Sequence, residues 1–215
     1  GGMGSSASTA SGVVFAINHL LGSVLSRDQM LQYALDGESV SVDDAHADNI
    51  APCLLGGLTL IRDTKSLDII NIPISDYYIS LIHPHFHIST QDAREILPKK
   101  IRLSSAVKQW GNIAALVFGF TSKDNNLIKK SMNDIIIEPV RSSLIKGFDD
   151  IKKNALEIGA IGCGISGSGP TMFALCDNKE TAKRVMDFSD SFYKALNVGC
   201  DTYLSKVNNN GPIII

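Results

Sequence analysis

Apolar positions along the chain repeat with two different periods, and each change of period marks an element. Val13, Val14, Ile17, Leu20 and Leu21 form one stripe of a helix that stops at Gly22. Ser26 predicts the N-cap of a second helix, which carries Met30, Leu31, Ala34 and Leu35 and is stopped by Gly37. A third helix is expected from Asp44 to Leu55, ending at Gly56 and Gly57. Three β-type runs follow, Leu58 to Arg62, Leu67 to Ile72 and Tyr77 to His83, with Pro73 and Pro84 as punctuation.

Helical spacing then returns. Ser89 or Thr90 caps a helix through Leu97, broken by Pro98, and further helices are expected over Ser104 to Gly119, Asn125 to Met132, Glu138 to Lys146 and Asp149 to Ile158. The last third reads as strand (Ala160 to Ser166), glycine-rich turn, strand (Thr171 to Cys176), helix (Glu180 to Leu196) and strand (Gly199 to Val207). Asn208 to Pro212 reads as a turn or loose end. Strands and helices mixed without regular βαβ alternation predict an α+β class. A break near Pro73 to Asp76 divides the chain into domains 1–75 and 76–207, with a tail at 208–215.

Composition narrows the partners. Twenty Lys and Arg against 22 Asp and Glu give a net charge of -2, so bulk electrostatics points neither to nucleic acid nor to an acidic membrane. The longest clean apolar stretch, Ile113 to Phe120, is less than half of the ~18 residues that a spanning helix needs. The glycine-serine start lacks the basic residues of a secretory signal. The four cysteines show no C-x-x-C pair and read as reduced thiols of a cytoplasmic protein.

Two glycine clusters carry candidate chemistry. Gly2, Met3, Gly4, Ser5, Ser6, Ala7 and Ser8 run into an amphipathic helix, so converging N–H groups and the positive end of the helix would suit a phosphate. No Lys follows the last glycine, which excludes a Walker A loop, and the bland alternative is a linker capped by Ser8 or Thr9. Gly162, Gly164 and Gly167 spell G-x-G-x-x-G, but Pro170 and a strand follow rather than a helix, against a dinucleotide site. Ser166 has Gly164 before it but Ser168 after it, which excludes a hydrolase elbow. A tight loop between antiparallel strands is the simpler reading. His83, His85 and His87 would share a strand face compatible with zinc, although Pro84 interrupts it and only Asp92 stands near as a further ligand. Glu38, His46, Asp48 and Asn49 cluster between two helices, and Arg94 and Arg141 each sit early in a helix.

Taken together, the two glycine-serine loops resemble motifs of the GHMP small-molecule kinases. The strings His46-Ala-Asp-Asn49-Ile-Ala-Pro52, Leu55-Gly-Gly57, His83-Pro84, Ser89-Thr90-Gln-Asp-Ala-Arg94, Leu97-Pro98, Asn133-Asp134 and Glu138-Pro139-Val-Arg141 resemble the homoserine kinase branch of that family, in order through about Cys176. The resemblance implies an incomplete N-terminal ATP-binding domain and a ferredoxin-like C-terminal domain. It implies phosphorylation of the L-homoserine hydroxyl by ATP with Mg²⁺, a step toward threonine. Gly2 to Ser8 would wrap the ATP phosphates, and Ser6 and Glu38 would hold the Mg²⁺. His46, Asn49, Thr90, Arg94, Arg141 and Gly167 would meet the substrate, with Arg94, Arg141 and Asn49 as the catalytic set. Loss of the family's Asn-containing Gly-Pro-Gly string implies that an N-terminal portion is lacking. The resemblance also leaves a homodimer open. Alternatives are a mevalonate or sugar kinase of the same family, a catalytically inactive fragment or binding module, and a zinc hydrolase built on the histidines.

Overall fold

The computed structural model describes residues 1–39, 47–89, 93 and 95–215. The chain divides into two units, one of Gly4–Ile74 with Val207–Ile215, the other of Gly1–Met3 with Ser75–Lys206.

In the unit beginning at Gly4, three helices pack on a two-stranded hairpin. They are α1 (Ser5–Leu20), α2 (Arg27–Ser39) and α3 (Ala47–Leu55), with β1 (Leu58–Asp63) and β2 (Asp68–Ile72) antiparallel. The start of α2 follows from a capping box: the Ser26 hydroxyl accepts from Gln29 N–H at 3.2 Å, and the Gln29 side chain accepts from Ser26 N–H at 2.8 Å. Gly37 does not stop it. The helix runs on to Ser39, and Gly37 lies on its α1 side, where an added Cβ would make ordinary van der Waals contact with the Ala10 Cβ at 3.7 Å.

Helix α1 departs further from the sequence pattern. It starts at Ser5, well ahead of the apolar stripe, and the residues it buries are Ala7, Ser11 and Asn18. Val13, Ile17, Leu20 and Leu21 face outward instead. Small side chains occupy the inner face because they let α2 and α3 come close around Leu31, Ala34, Ile50 and Ala51. The last residues are not loose. Gly57 N–H donates to the Asn208 carbonyl at 2.8 Å, and Asn209 bonds both the N–H and the carbonyl of Ile74. Gly56 (φ 69°) is pressed so closely on Asn209 and Gly211 that a side chain would collide with their backbone.

The other unit holds the sheet. Strands β3 (Tyr78–Pro84), β4 (Gly162–Ile165), β5 (Met172–Cys176) and β6 (Cys200–Lys206) pair in the order β4-β5-β3-β6, every neighbour antiparallel. Its helices are α4 (Leu103–Ser122), α5 (Asn125–Ser131), α6 (Glu138–Arg141), α7 (Phe148–Ile158) and α8 (Lys179–Ala195). The sequence β-α-β-β-α-β in this strand order is a ferredoxin-like plait. Its core sets Ile82, Met172 and Ala174 of the sheet against Ile151, Ala155, Val185 and Tyr193 of α7 and α8. At the junction of α4 and α5, Gly119 lies against Ile128, and an added Cβ would stand 2.9 Å from it. Helix α6 is shorter than the stretch to Lys146 expected from sequence, with a 3₁₀ turn at Ser142–Leu144 after it.

Candidate active site

The glycine-serine loop is a helix start. Gly4 takes the left-handed conformation at the N-cap of α1 (φ 64°), and no side chain caps the helix. The N–H groups of the first turn therefore lack a side-chain partner and present the positive helix end. Ser8 N–H already bonds the Gly4 carbonyl at 2.9 Å, so the capping by Ser8 or Thr9 that the bland reading expects does not occur. An added Cβ at Gly4 would stand 3.2 Å from Asn49 Oδ1, which brings the exposed Asn49 side chain against the loop.

Ser6 and Glu38, 32 residues apart, meet because α1 packs on α2: the Ser6 hydroxyl donates to Glu38 Oε1 at 2.6 Å. The donors are a hydroxyl and a carboxylate, both hard oxygens. That suits Mg²⁺, which takes one or two carboxylates and completes its shell with phosphate oxygens and water.

In the plait, the β4–β5 connection is the tight turn that its sequence suggests, closed by Ser166 N–H to the Thr171 carbonyl at 2.8 Å and Gly169 N–H to the Ser166 carbonyl at 3.0 Å. This turn grips the first residues of the chain. The Ser166 hydroxyl donates to the Gly2 carbonyl at 2.6 Å, and the Thr171 hydroxyl donates to the Gly1 carbonyl. Gly2 (φ 78°) fits only as glycine, since a Cβ would stand 2.3 Å from the Ser166 carbonyl oxygen. Fixing a carbonyl fixes the N–H on the far side of the same peptide plane. The two hydroxyls therefore aim the Gly2 and Met3 N–H groups in the opposite direction. His83 Nδ1 lies 2.8 Å from the Thr171 hydroxyl, and burial is the main cause holding this imidazole below its ordinary pKa.

Arg141, half-buried, is held by two backbone carbonyls: its Nε donates to Ala93 at 3.2 Å and its Nη1 to Gly167 at 3.0 Å. The helix that carries it is set by Asp134, whose carboxylate accepts from the N–H groups of Ile136, Ile137 and Glu138 at 2.8, 2.9 and 3.2 Å. Glu138, at the head of the same helix, pairs with Lys152 of α7. Burial pushes the Glu138 carboxyl above the usual carboxylate range, and Lys152 partly offsets this. Arg141, Glu138, Asp134 and Gly167 line one cavity of about 200 Å³, closed on its other side by Asn112, Leu116 and Phe173.

Sequence reasoning gave no role to Asp134, Glu138, Lys152 or Thr171. For Asp134 a signal exists: an acidic residue four positions ahead of Glu-Pro is a helix-start pattern. His46, Thr90 and Arg94 lie outside the described residues. The histidines do not converge on a metal: His83 meets Thr171, His85 Nε2 meets Asp201 at 2.9 Å, and no group of three His, Cys, Asp or Glu among the described residues is placed to hold one. No helix among the described residues is long and apolar enough to cross a membrane. All four cysteines are free, and burial raises the Cys163 thiol to about 12.

Residues 1–57 match the GHMP kinases N-terminal domain and residues 114–195 the GHMP kinases C-terminal model. A solved mevalonate kinase from L. major, 16% identical, shares the fold with a TM-score of 0.70 over 95% of this chain and 66% of its own. The fold and the loop thus define a small-molecule kinase architecture of the GHMP type. Closer likenesses are a homoserine kinase of Chlorobium phaeobacteroides, 43% identical over 100% of this chain and 68% of its own, and the crystal structure of homoserine kinase from Cytophaga hutchinsonii, 49% identical with a TM-score of 0.90 over 94% of this chain and 64% of its own. The chain belongs to the homoserine kinases of the GHMP family. It spans about two thirds of the length of these relatives, 68% and 64% respectively.

Proposed function

We propose that the protein transfers a phosphoryl group from ATP to the side-chain hydroxyl of L-homoserine in the cytoplasm, giving O-phospho-L-homoserine toward threonine. The observation that carries this reading is the 43% identity to a homoserine kinase across the whole chain. The Ser6–Glu38 contact and the uncapped helix behind Gly4 support it independently.

In this reading the backbone from Gly2 to Ser8, with Met3, Gly4, Ser5, Ser6 and Ala7 between, binds the ATP phosphates through N–H groups and the α1 N-terminus. Ser6 and Glu38 hold Mg²⁺, which when bound neutralises charge on the phosphate oxygens. Phosphoryl transfer asks chiefly for alignment and charge stabilisation. His46, Asn49, Thr90, Arg94, Arg141 and Gly167 meet the amino acid. Arg141 and Arg94 act on its carboxylate and on the transferring group, where a guanidinium fork matches planar anions. Arg141 reaches that role already oriented by the Ala93 and Gly167 carbonyls, so little rotamer freedom remains to be lost on binding.

The test is ADP release by the full-length protein with L-homoserine, mevalonate or galactose as acceptor. Release that depends on homoserine alone is expected, and Arg141→Ala should lower kcat/KM roughly 100-fold or more. Background release with homoserine, or equal release with mevalonate, would overturn the reading.

A further inference from the structure

His83 and Pro84 end strand β3, and no step described so far uses the histidine. Strand pairing explains where its ring goes. The last rung of β3 on β5 joins Ile82 to Met172, both of which belong to the core packed against α7 and α8. Side chains alternate along a strand, so His83 and Thr171, one step beyond that rung, share the other face. There they meet the first residues of the chain. His83 Nδ1 lies 2.8 Å from Thr171 Oγ1, and the Thr171 hydroxyl bonds the Gly1 carbonyl. Gly1 also lies against the imidazole, where an added Cβ would stand 2.6 Å from His83 Cε1.

Counting protons fixes the direction of these bonds. The Gly1 carbonyl has none to give, so the single hydroxyl proton of Thr171 is committed to it. The Thr171 oxygen can then only accept from His83, which puts the ring proton on Nδ1. Thr171 is fully buried, out of reach of bulk water. Burial holds the imidazole below its ordinary pKa, so at about pH 7.5 the neutral ring carries that one proton only.

We propose that His83 is a positioning residue for the phosphate loop. Its Nδ1–H donates to Thr171, Thr171 donates to the Gly1 carbonyl, and the Gly2 N–H, on the far side of that peptide plane, is held pointing away from Thr171. A free threonine hydroxyl turns among its staggered wells, whereas one that accepts and donates at once is locked, and each bond strengthens the next. The inference rests on the kinase reading, in which the Gly2 N–H meets an ATP phosphate. That contact is alike before and during transfer, so its misalignment weakens nucleotide binding and leaves kcat nearly unchanged.

The test is calorimetric titration of the full-length protein with ADP and Mg²⁺, beside kcat and the KM for ATP at saturating homoserine. His83→Leu keeps bulk against Gly1 and loses the donor. It should raise the ADP dissociation constant and the KM for ATP roughly 5–30-fold, the effect of one disturbed buried hydrogen bond, with kcat within about 3-fold of the parent. Thr171→Val should do the same, and adding His83→Leu to it should weaken binding no further. His83→Asn, whose amide nitrogen takes the place of Nδ1, should recover most of the affinity. His83→Gln, whose amide nitrogen reaches the Nε2 position instead, should not. His83→Asn binding no better than His83→Leu would make the ring a packing group only and overturn the proposal. A parent that binds no ADP would overturn the kinase reading and this proposal with it, whereas parent-like ADP affinity in His83→Leu overturns this proposal alone.

Discussion

Lys152 stands against a carboxylate that is mostly out of water. The Lys152 and Glu138 side chains are 20% and 15% exposed, and Asp134 and Asp149 add further negative charge around the carboxylate. At an effective dielectric constant of about 20, a contact ion pair is worth about 4 kcal/mol. Much of that only offsets the desolvation of the two ions. Replacing Lys152 with Met removes the offset and keeps the cost, so an expected loss of about 3–5 kcal/mol in unfolding free energy at neutral pH follows. The pH dependence has a definite sign. Burial raises the Glu138 carboxyl, and Lys152 is the neighbour that lowers it; without Lys152 the folded-state pKa rises further. A raised carboxyl takes up a proton on folding, so its contribution is most favourable below the ordinary carboxylate pKa and is lost as pH rises through the folded-state value. Urea unfolding followed by circular dichroism should therefore show Lys152→Met suffering more at about pH 8 than at about pH 5. Lys152→Met combined with Glu138→Gln should regain most of the loss and flatten the difference. A single variant that loses less than ~1 kcal/mol, equally at both pH values, would mean that water solvates Glu138 freely and that the pair contributes as little as a surface bridge.

Other outcomes follow from the geometry of the site. Glu38→Gln should raise the Mg²⁺ concentration needed for half-maximal ADP release, with little change in thermal stability, because it removes a charged oxygen beside Ser6 at an exposed position. Gly2→Ala should lower kcat/KM and raise the KM for ATP, as the added Cβ would sit 2.3 Å from the Ser166 carbonyl and displace the loop; an unchanged KM would show that the loop does not read phosphate. Cys163, buried with its thiol raised to about 12, should resist alkylation at pH 8 in the folded protein and react on addition of urea, as counted by mass spectrometry.

The strands and most helices were legible in the chain because their periods are short-range. Leu58 to Arg62, Tyr77 to His83 and Thr171 to Cys176 each fall within a residue or so of an observed strand. Glycine was the weaker guide. Gly37 reads as a stop when taken locally, whereas the structure carries α2 through it to Ser39, within van der Waals reach of Ala10 on α1. The same non-local effect hid the inner face of α1: an apolar stripe marks a buried side only when nothing smaller packs better. At the site, the residue types pointed to phosphate chemistry, and the resemblance supplied positions. What no local pattern contains is the second layer of contacts. Ser166 reaches Gly2 across 164 positions, Thr171 reaches Gly1 across 170, and Arg141 reaches Ala93 across 48, so these orienting bonds emerge only once the plait has formed.

The return of residues 207–211 to the first unit orders events during synthesis. Gly57, Ile74 and Gly56 wait for Asn208, Asn209 and Gly211, which are translated only after the whole of Ser75–Lys206. The plait between them, Ser75–Lys206, is fully translated sooner and can settle first, although it lies later in the chain than the helices that bear Ser6 and Glu38. The helical unit that bears Ser6 and Glu38 is thus locked after the plait. A nascent chain in which residues 207–211 are still untranslated carries a finished plait and an unlatched hairpin at Gly56.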